Sequence, residues 1–434
     1  MSSTTVASNA RTIAFKQRMA VVQDGAYVDA LPAPSGDARL RRQVRELVAG
    51  ATRWQRWLDF LLADAYDGAY DRMDVPLRVL LQLGAYELLL QETPPHAAVD
   101  QYVALAKERV HPRVGGLANA LLRTLHRQRE ALPQPRTGDM AADLAIRQSH
   151  PTWLVKRWMD RYGGRTAEAL CRWNNTRPAY GVRLRDGTTR DDLEALGVDW
   201  TPSPYLADVM EVERLQPLVA AGWLAAGRCV VQDAAAALVV QLLDPQPGET
   251  VLDPCAAPGG KTRYILDRMD GRGRVLAFDR SADRLARLPA HPQLTAEAAA
   301  LQAIADRPNP PQADAVLLDA PCTGLGVLAK RADLRWRRTP DDLSTMAQRQ
   351  DALLDAAARL VRPGGRLVYS TCSIAPEENE DRVAAFLDRH ASFVLEPAAA
   401  QVPAALATEA GYYATLPSRD RVDGAFGARL RRLD

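Results

Sequence analysis

Asp319 and Cys322 in "DAPCTG", and Cys372 in "YSTCS", are residue types that can do covalent chemistry together. A single cysteine in such a place is more often a small buried hydrophobe than a nucleophile. Two thiols and a carboxyl match one demanding reaction, methyl transfer to carbon 5 of a pyrimidine. That carbon is a poor nucleophile until a thiolate adds to carbon 6 and makes the ring an enamine, which can attack a methyl sulfonium. An acid must offset the charge at ring nitrogen 3, a task for a carboxyl of raised pKa or a bridged proton. A base must then take the proton from carbon 5 so that the thiol can leave. A free thiol has a pKa of about 8.5 and needs lowering to attack at neutral pH. Lys261 is a candidate for that. Cys171 and Cys229 lie outside these motifs and read as structural.

A second stretch, "DPCAAPGGKT" from Asp253 to Thr262, has the look of a ligand loop. Gly260, Lys261 and Thr262 satisfy the end of a Walker loop, but the first glycine of that pattern falls on Cys255. A dinucleotide fingerprint is absent. S-adenosylmethionine, a nucleoside with a charged amino-acid tail, fits better. The small residues Ala256, Ala257, Gly259 and Gly260 permit close backbone approach, and Asp279, ending "RVLAFD", can accept both ribose hydroxyls. Lysine is scarce, confined to Lys16, Lys107, Lys156, Lys261 and Lys330, so one inside this loop carries weight.

These residues need a frame. From about residue 226 strands alternate with helices: "TVLD", "RVLAFD", "DAVLLDAPC" and "RLVYSTCS" as strands, "GKTRYILDRM" and "PEENEDRVAAFLDRH" as helices. That rhythm predicts an α/β, parallel, doubly wound sheet, which binds ligands at the carboxyl ends of its strands. Asp253, Asp279, Asp319 and Cys372 all fall at or just beyond strand ends. "TPDDLSTMAQRQDALLDAAARLVRPGG" reads as a helix closed by Pro363 and Gly364. The first third is helical, with apolar residues three and four apart, and "ALPQPRTGDMAAD" reads as a linker. Residues 145–225 read as a small α+β unit. The expected domains are therefore 1–135, 145–225 and 226–434. "KRADLRWRR", Lys330 to Arg338, puts five cations and Trp336 directly after the Cys322 loop, and reads as an RNA contact made through phosphates and an unpaired base, with a solvated surface loop as the alternative. "RLRRQVR", Arg39 to Arg45, is a second basic run, readable equally as a charged helix face.

The 434 residues allow two or three domains, and a net charge of +2 argues neither for nor against a polyanionic partner. Five dispersed cysteines with no CxxC pair argue against a disulfide framework and against a zinc site, and point to the cytoplasm. No apolar run is long enough to span a membrane, and the N-terminus has no apolar signal core.

At these motifs the chain resembles the Sun family of RNA 5-methylcytosine methyltransferases. "DPCAAPGGKT", "DAPCTGLG" and "YSTCSIAPEENE" look like that family's strongest motifs, and "QDAAAALVVQLLDPQPGE" also fits. "LLQLGAYELLL", "PPHAAVDQYVALAK" and "GGLANALLR" are similar to its NusB-like helical domain, so the resemblance covers nearly the whole chain. It implies a multidomain protein: an all-α NusB-like RNA-binding domain, a small α+β RNA-facing domain, and a Rossmann-like catalytic domain. It also implies 16S ribosomal RNA as partner, unassembled or in a partly assembled small subunit, with no metal, no membrane and a monomeric chain. Transfer RNA, or a non-catalytic scaffold role on RNA, are the alternatives. In that family the "TCS" cysteine, here Cys372, is the nucleophile, and the "PC" cysteine, here Cys322, assists release. Asp319 contacts the base, and Cys255, Ala256, Ala257, Pro258, Gly259, Gly260 and Lys261 hold S-adenosylmethionine with Asp279. DNA cytosine methyltransferases use the Pro-Cys thiol instead. Two departures stand out. The usual adenine-contacting aspartate is missing from "PQLTAEAAALQ", where Glu297 is the best substitute, and "DGAFGARLRR" lacks the second aromatic of the closing hairpin.

Overall fold

The structure, a computed structural model, describes residues 10–434 except positions 92, 178, 186 and 289. The chain forms two compact units, Met1–Thr176 with Leu328–Arg337, and Arg177–Val327 with Arg338–Asp434.

In the first unit, helices Ala10–Gln23, Ala38–Asp64, Val75–Leu90, Pro95–Arg109 and Gly115–Gln128 enclose one core. The sequence "VPLRVLLQLGAYELLL" is apolar almost all round, so the helix Val75–Leu90 must be surrounded by the others, and it is buried along most of its length. Two polar side chains trapped with it find partners: Arg18 Nη2 donates to Gln55 at 2.6 Å, and Tyr102 to Glu87 at 3.0 Å. Helices Met140–Arg147, Thr152–Tyr162 and Gly164–Asn174 complete the unit. Arg39, Arg41, Arg42 and Arg45 are all exposed on the helix Ala38–Asp64, a charged helix face.

The basic run Lys330 to Arg338 is not the RNA-facing loop expected from its composition. Its residues up to Arg337 belong to the helical unit. Arg335 is fully buried, donating to the carbonyls of Asn174 at 2.8 Å and Ser149 at 3.1 Å and to Asn175 Oδ1 at 2.8 Å. Those acceptors lie at or just beyond helix C-termini, where unpaired carbonyls favour a cation. Burial lowers the Arg335 guanidinium to about 9. Trp336 Nε1 donates to the carbonyl of Thr52 at 2.6 Å. Arg337 donates to the carbonyls of Gly25 and Ala26 and lies 4.1 Å over the Tyr27 ring. Arg338 belongs to the second unit and donates to the Thr323 carbonyl at 2.8 Å. Composition cannot distinguish a solvated arginine from one whose fork satisfies carbonyls.

The second unit holds two sheets. Strands β1 (Tyr180–Leu184), β2 (Trp200–Pro202), β3 (Val209–Val212) and β4 (Cys229–Val231) form an antiparallel sheet in the order β2-β3-β1-β4. The larger sheet contains β5 (Thr250–Asp253), β6 (Arg274–Asp279), β7 (Leu294–Ala298), β8 (Ala313–Asp319), β9 (Val361–Thr371), β10 (Phe393–Glu396), β11 (Tyr413–Ala414) and β12 (Phe426–Arg432). Its order is β10-β12-β9-β8-β5-β6-β7, with β11 beside β12. The strands from β7 to β9 run parallel, and β10, β11 and β12 add antiparallel pairs at one edge. The chain moves outward from β5 through β6 to β7, then returns to the other side of β5 with β8. That reversal is a topological switch point, and the ends of β5 and β8 flank it.

The helix expected to run on to Pro363 and Gly364 stops at Ala358 instead. Those two residues lie inside β9, where the register with β8 jumps: Ala313 pairs with Val361 but Ala315 with Arg366. Proline has no N–H to give a ladder, so it fits where the ladder is interrupted. At the closing strand, Phe426 packs edge-on to Tyr369 at 6.4 Å and tilted against Tyr412 at 5.1 Å, so Tyr412 supplies a second aromatic there.

Candidate functional site

The loop after β5 is fixed by its first residue. Asp253 is buried, and its Oδ2 accepts from Thr262 Oγ1 at 2.7 Å, which ties the strand end to the helix Gly260–Arg268. Burial raises the Asp253 carboxyl to about 7, against the hydrogen bond from Thr262. The Ala257–Pro258 peptide is cis, and Gly259 has φ +102°, a region that favours glycine. A Cβ on Gly259 would come within 3.0 Å of Leu288 Cγ, whereas one on Gly260 would meet nothing within 4 Å. The loop is thus tight on one side and open on the other. It pairs onto β6 through Ala256 N to the Phe278 carbonyl at 2.9 Å.

Asp279 ends β6 beside this loop. Its Oδ1 accepts from Ser281 N at 2.9 Å and Arg284 Nη2 at 2.8 Å; its Oδ2 has a long contact of 3.3 Å from Ala257 N. Oδ2 therefore keeps acceptor capacity at the mouth of the loop, suited to a ribose diol. Lys261 does not point its charge at a phosphate cradle. Its Nζ donates to Asp319 Oδ2 at 2.6 Å, and Ser370 Oγ donates to Asp319 Oδ1 at 2.8 Å. Burial works to lower the Lys261 ammonium, but the Asp319 charge and hydrogen bond outweigh it and raise it. The loop, Asp279 and Lys261 thus fit a nucleoside with an amino-acid tail better than a nucleoside triphosphate.

The thiols sit at the ends of adjacent parallel strands. Asp319 on β8 pairs with Ser370 on β9, and Ala320 N donates to the Ser370 carbonyl at 2.8 Å. That register leads Cys322 and Cys372 out side by side, with Sγ atoms 3.2 Å apart. The loop backbones are stacked at Gly326, whose N–H donates to the Cys372 carbonyl at 3.0 Å. A Cβ there would fall 2.2 Å from the Gly424 carbonyl oxygen. The two thiols are polarised in opposite directions. The hydrogen bond from Cys322 lowers Cys372 below the usual thiol value, against desolvation and the Asp319 charge, with Lys261 adding to the lowering. The same hydrogen bond and the Cys372 charge, with burial, push Cys322 well up. Cys372 is the exposed one. A thiolate accepting from a neighbouring thiol, next to a lysine–carboxylate pair, is a nucleophile with a proton carrier in place. The remaining thiols are inert: burial pushes Cys171 and Cys255 up to about 12 and also raises Cys229.

Of the residues singled out from the sequence, Lys261, Asp319, Cys322 and Cys372 converge, and Cys255 through Gly260 lie with Asp279. Cys255 feels the charges of Asp253, Asp319 and Asp279. Glu297 stands on the edge strand β7, exposed and paired with Arg307, and it is Ala298 that aligns with Asp279. Two residues with evident roles escaped the sequence reading. Ser370 holds Asp319; strand alternation puts it on the same face as Cys372, so its position two residues earlier was a usable signal. Glu378 is fully buried under both thiol loops, and nothing in "PEENE" marked which acid would be buried. Among the described residues no cluster of histidine, cysteine or acid could hold a metal, and no helix is long and apolar enough to cross a membrane.

The family described as 16S rRNA methyltransferase RsmB/F matches residues 240–431, the NusB family matches 8–127, and a ferredoxin-like domain of RsmF/B-like methyltransferases matches 150–218. The chain is 34% identical over 415 residues to the probable ribosomal RNA small subunit methyltransferase B of Synechocystis sp., covering 90% of this chain and 91% of that protein. It is 36% identical over 397 residues to ribosomal RNA small subunit methyltransferase B of Salmonella typhi, covering 89% of each. The solved structure of PH0851 is similar at TM-score 0.79 and 27% identity, covering 98% of both chains.

Proposed function

The chain belongs to the RsmB/F family of 16S ribosomal RNA methyltransferases, and we propose that it methylates carbon 5 of a cytosine in that RNA through a covalent bond to Cys372. The observation that carries the chemistry is the polarised thiol pair, 3.2 Å apart, beside Lys261 and Asp319. S-adenosylmethionine, held by Cys255 to Lys261 and Asp279, would supply the electrophilic methyl group. The chain's own residues do the rest. Cys372, as thiolate, adds to carbon 6 and pushes electrons toward nitrogen 3. Lys261 and Asp319 share a proton at 2.6 Å and offer it there. Once Cys372 is bonded to carbon, its charge no longer holds the proton on Cys322. The Cys322 thiol, still raised by burial but less so, gives its proton to solvent and as thiolate takes the one on carbon 5. The proton lent to nitrogen 3 returns to the Lys261–Asp319 pair, and the electrons released at carbon 5 re-form the double bond and expel Cys372 as thiolate.

We further propose three working parts, residues 1–135 and 145–225 to engage RNA and 226–434 for chemistry, acting in the cytoplasm on unassembled or partly assembled small subunits. Bisulfite sequencing of ribosomal and transfer RNA from a deletion strain tests the substrate. One protected cytosine in 16S RNA should become convertible; loss confined to a transfer RNA would replace the ribosomal reading. The cofactor is tested by titration calorimetry. S-adenosylmethionine should bind and ATP should not. Asp279→Ala should weaken S-adenosylmethionine by about 1.5–3 kcal/mol, the usual cost of a lost hydrogen bond to a charged group. Binding of ATP without S-adenosylmethionine would overturn the assignment.

A further inference from the structure

Glu378 has no part in the scheme above, yet it is fully buried between the two thiol loops. Its Oε1 accepts from Thr323 N at 2.7 Å and from Gln350 Nε2 at 3.2 Å. Its Oε2 accepts from the hydroxyls of Thr323 and Ser373. Thr323 follows Cys322, and Ser373 follows Cys372. Gln350 Nε2 also donates to the carbonyl of Pro321, the residue before Cys322, at 3.0 Å. One carboxylate thus fastens both flanks of one cysteine and the residue after the other. Asn379 extends the arrangement, accepting from Thr371 Oγ1 at 2.6 Å and donating to the Ser373 carbonyl at 2.9 Å. These donors to Glu378 are neutral, so burying the carboxylate among them is costly. Packing alone would be served as well by an apolar side chain, and a specific task is needed to explain an acid here.

We propose that Glu378 is a positioning residue that fixes the spacing of Cys322 and Cys372, so that attack by one thiol and release by the other act on one base. The proposal rests on the covalent reading above. Its negative charge also adds to the hydrogen bond from Cys322 to Cys372 in keeping the proton on Cys322 before attack.

Closure of the two thiols by diamide reads their spacing directly. Each thiol loses a proton, two electrons pass to diamide, and a disulfide and a hydrazine result. The reaction needs neither RNA nor cofactor, so a failure of the positioning role is separable from a failure of the methyl-transfer reading. In Glu378→Ala, closure should slow about tenfold, and kcat should fall at least about tenfold, because small misplacement of a reacting group costs up to about 10²-fold. KM for S-adenosylmethionine should stay within about twofold, since those contacts lie elsewhere. In Glu378→Gln the hydroxyls of Thr323 and Ser373 can turn to accept from the amide. Closure should return to near the wild-type rate, and kcat should recover in part. A folded Glu378→Ala that closes at the wild-type rate, or that closes slowly but turns over normally, would overturn the proposal. Should Glu378→Ala fail to fold, Ser373→Ala tests the same link: losing one hydrogen bond should slow closure about threefold, and an unchanged rate would overturn the proposal.

Discussion

Cys372→Ala should abolish methyl transfer while the protein stays folded and binds its cofactor. Without a thiolate to add to carbon 6, carbon 5 has no nucleophilic character to spend on the methyl group. Loss of a covalent nucleophile typically costs on the order of 10⁴-fold or more in kcat, which puts the variant at background. The fold should survive because Cys372 is exposed and its removal opens no core cavity. S-adenosylmethionine affinity should hold, because Asp279 and the loop from Cys255 to Gly260 are untouched. Transfer of a labelled methyl group to small-subunit RNA, with a thermal melt and a cofactor titration on the same sample, gives all three readouts. Activity within about tenfold of wild type would remove Cys372 from the chemistry.

The catalytic sheet was legible because its residues obey two local rules at once. The runs ending at Asp253, Asp279 and Asp319 are apolar on both faces, as strands covered on both sides must be, and the reactive residues fall where those strands end. The ligand loop was legible for a related reason: small residues beside an early acid leave few ways to fold. The Lys330 to Arg338 run was misread because charge looks the same whether it meets water or a carbonyl. Only the fold shows that helix ends at Ser149 and Asn174 need the fork of Arg335. Pro363 and Gly364 look like a helix stop by local chemistry, and it takes the neighbouring strand to turn them into a bulge in β9. The antiparallel edge strands lie far from their partners in sequence, so no local period announces that β12 inserts between β9 and β10. Glu378 was invisible for the same reason. Its donors come from positions 323, 350 and 373, and nothing near it in sequence says that they will meet.

The covalent account is tested most directly by Cys322→Ala on a denaturing gel. Attack by Cys372 and methyl transfer need no proton transfer to Cys322, so both should proceed in the variant, more slowly because Cys372 loses the hydrogen bond that lowers it. Removal of the carbon 5 proton does use Cys322, and without that step the bond from Cys372 Sγ to carbon 6 cannot break. The protein should therefore stay linked to its RNA and run as a slow band that survives denaturant. The band should require S-adenosylmethionine, because before methyl transfer the addition can reverse by itself. It should vanish in the double variant Cys322→Ala with Cys372→Ala, which has no nucleophile. The account predicts a cofactor-dependent band in Cys322→Ala and none in Cys372→Ala. A band in Cys372→Ala and none in Cys322→Ala would exchange the roles of the two thiols, and methyl transfer at the wild-type rate in both variants with no band in either would contradict covalent catalysis altogether.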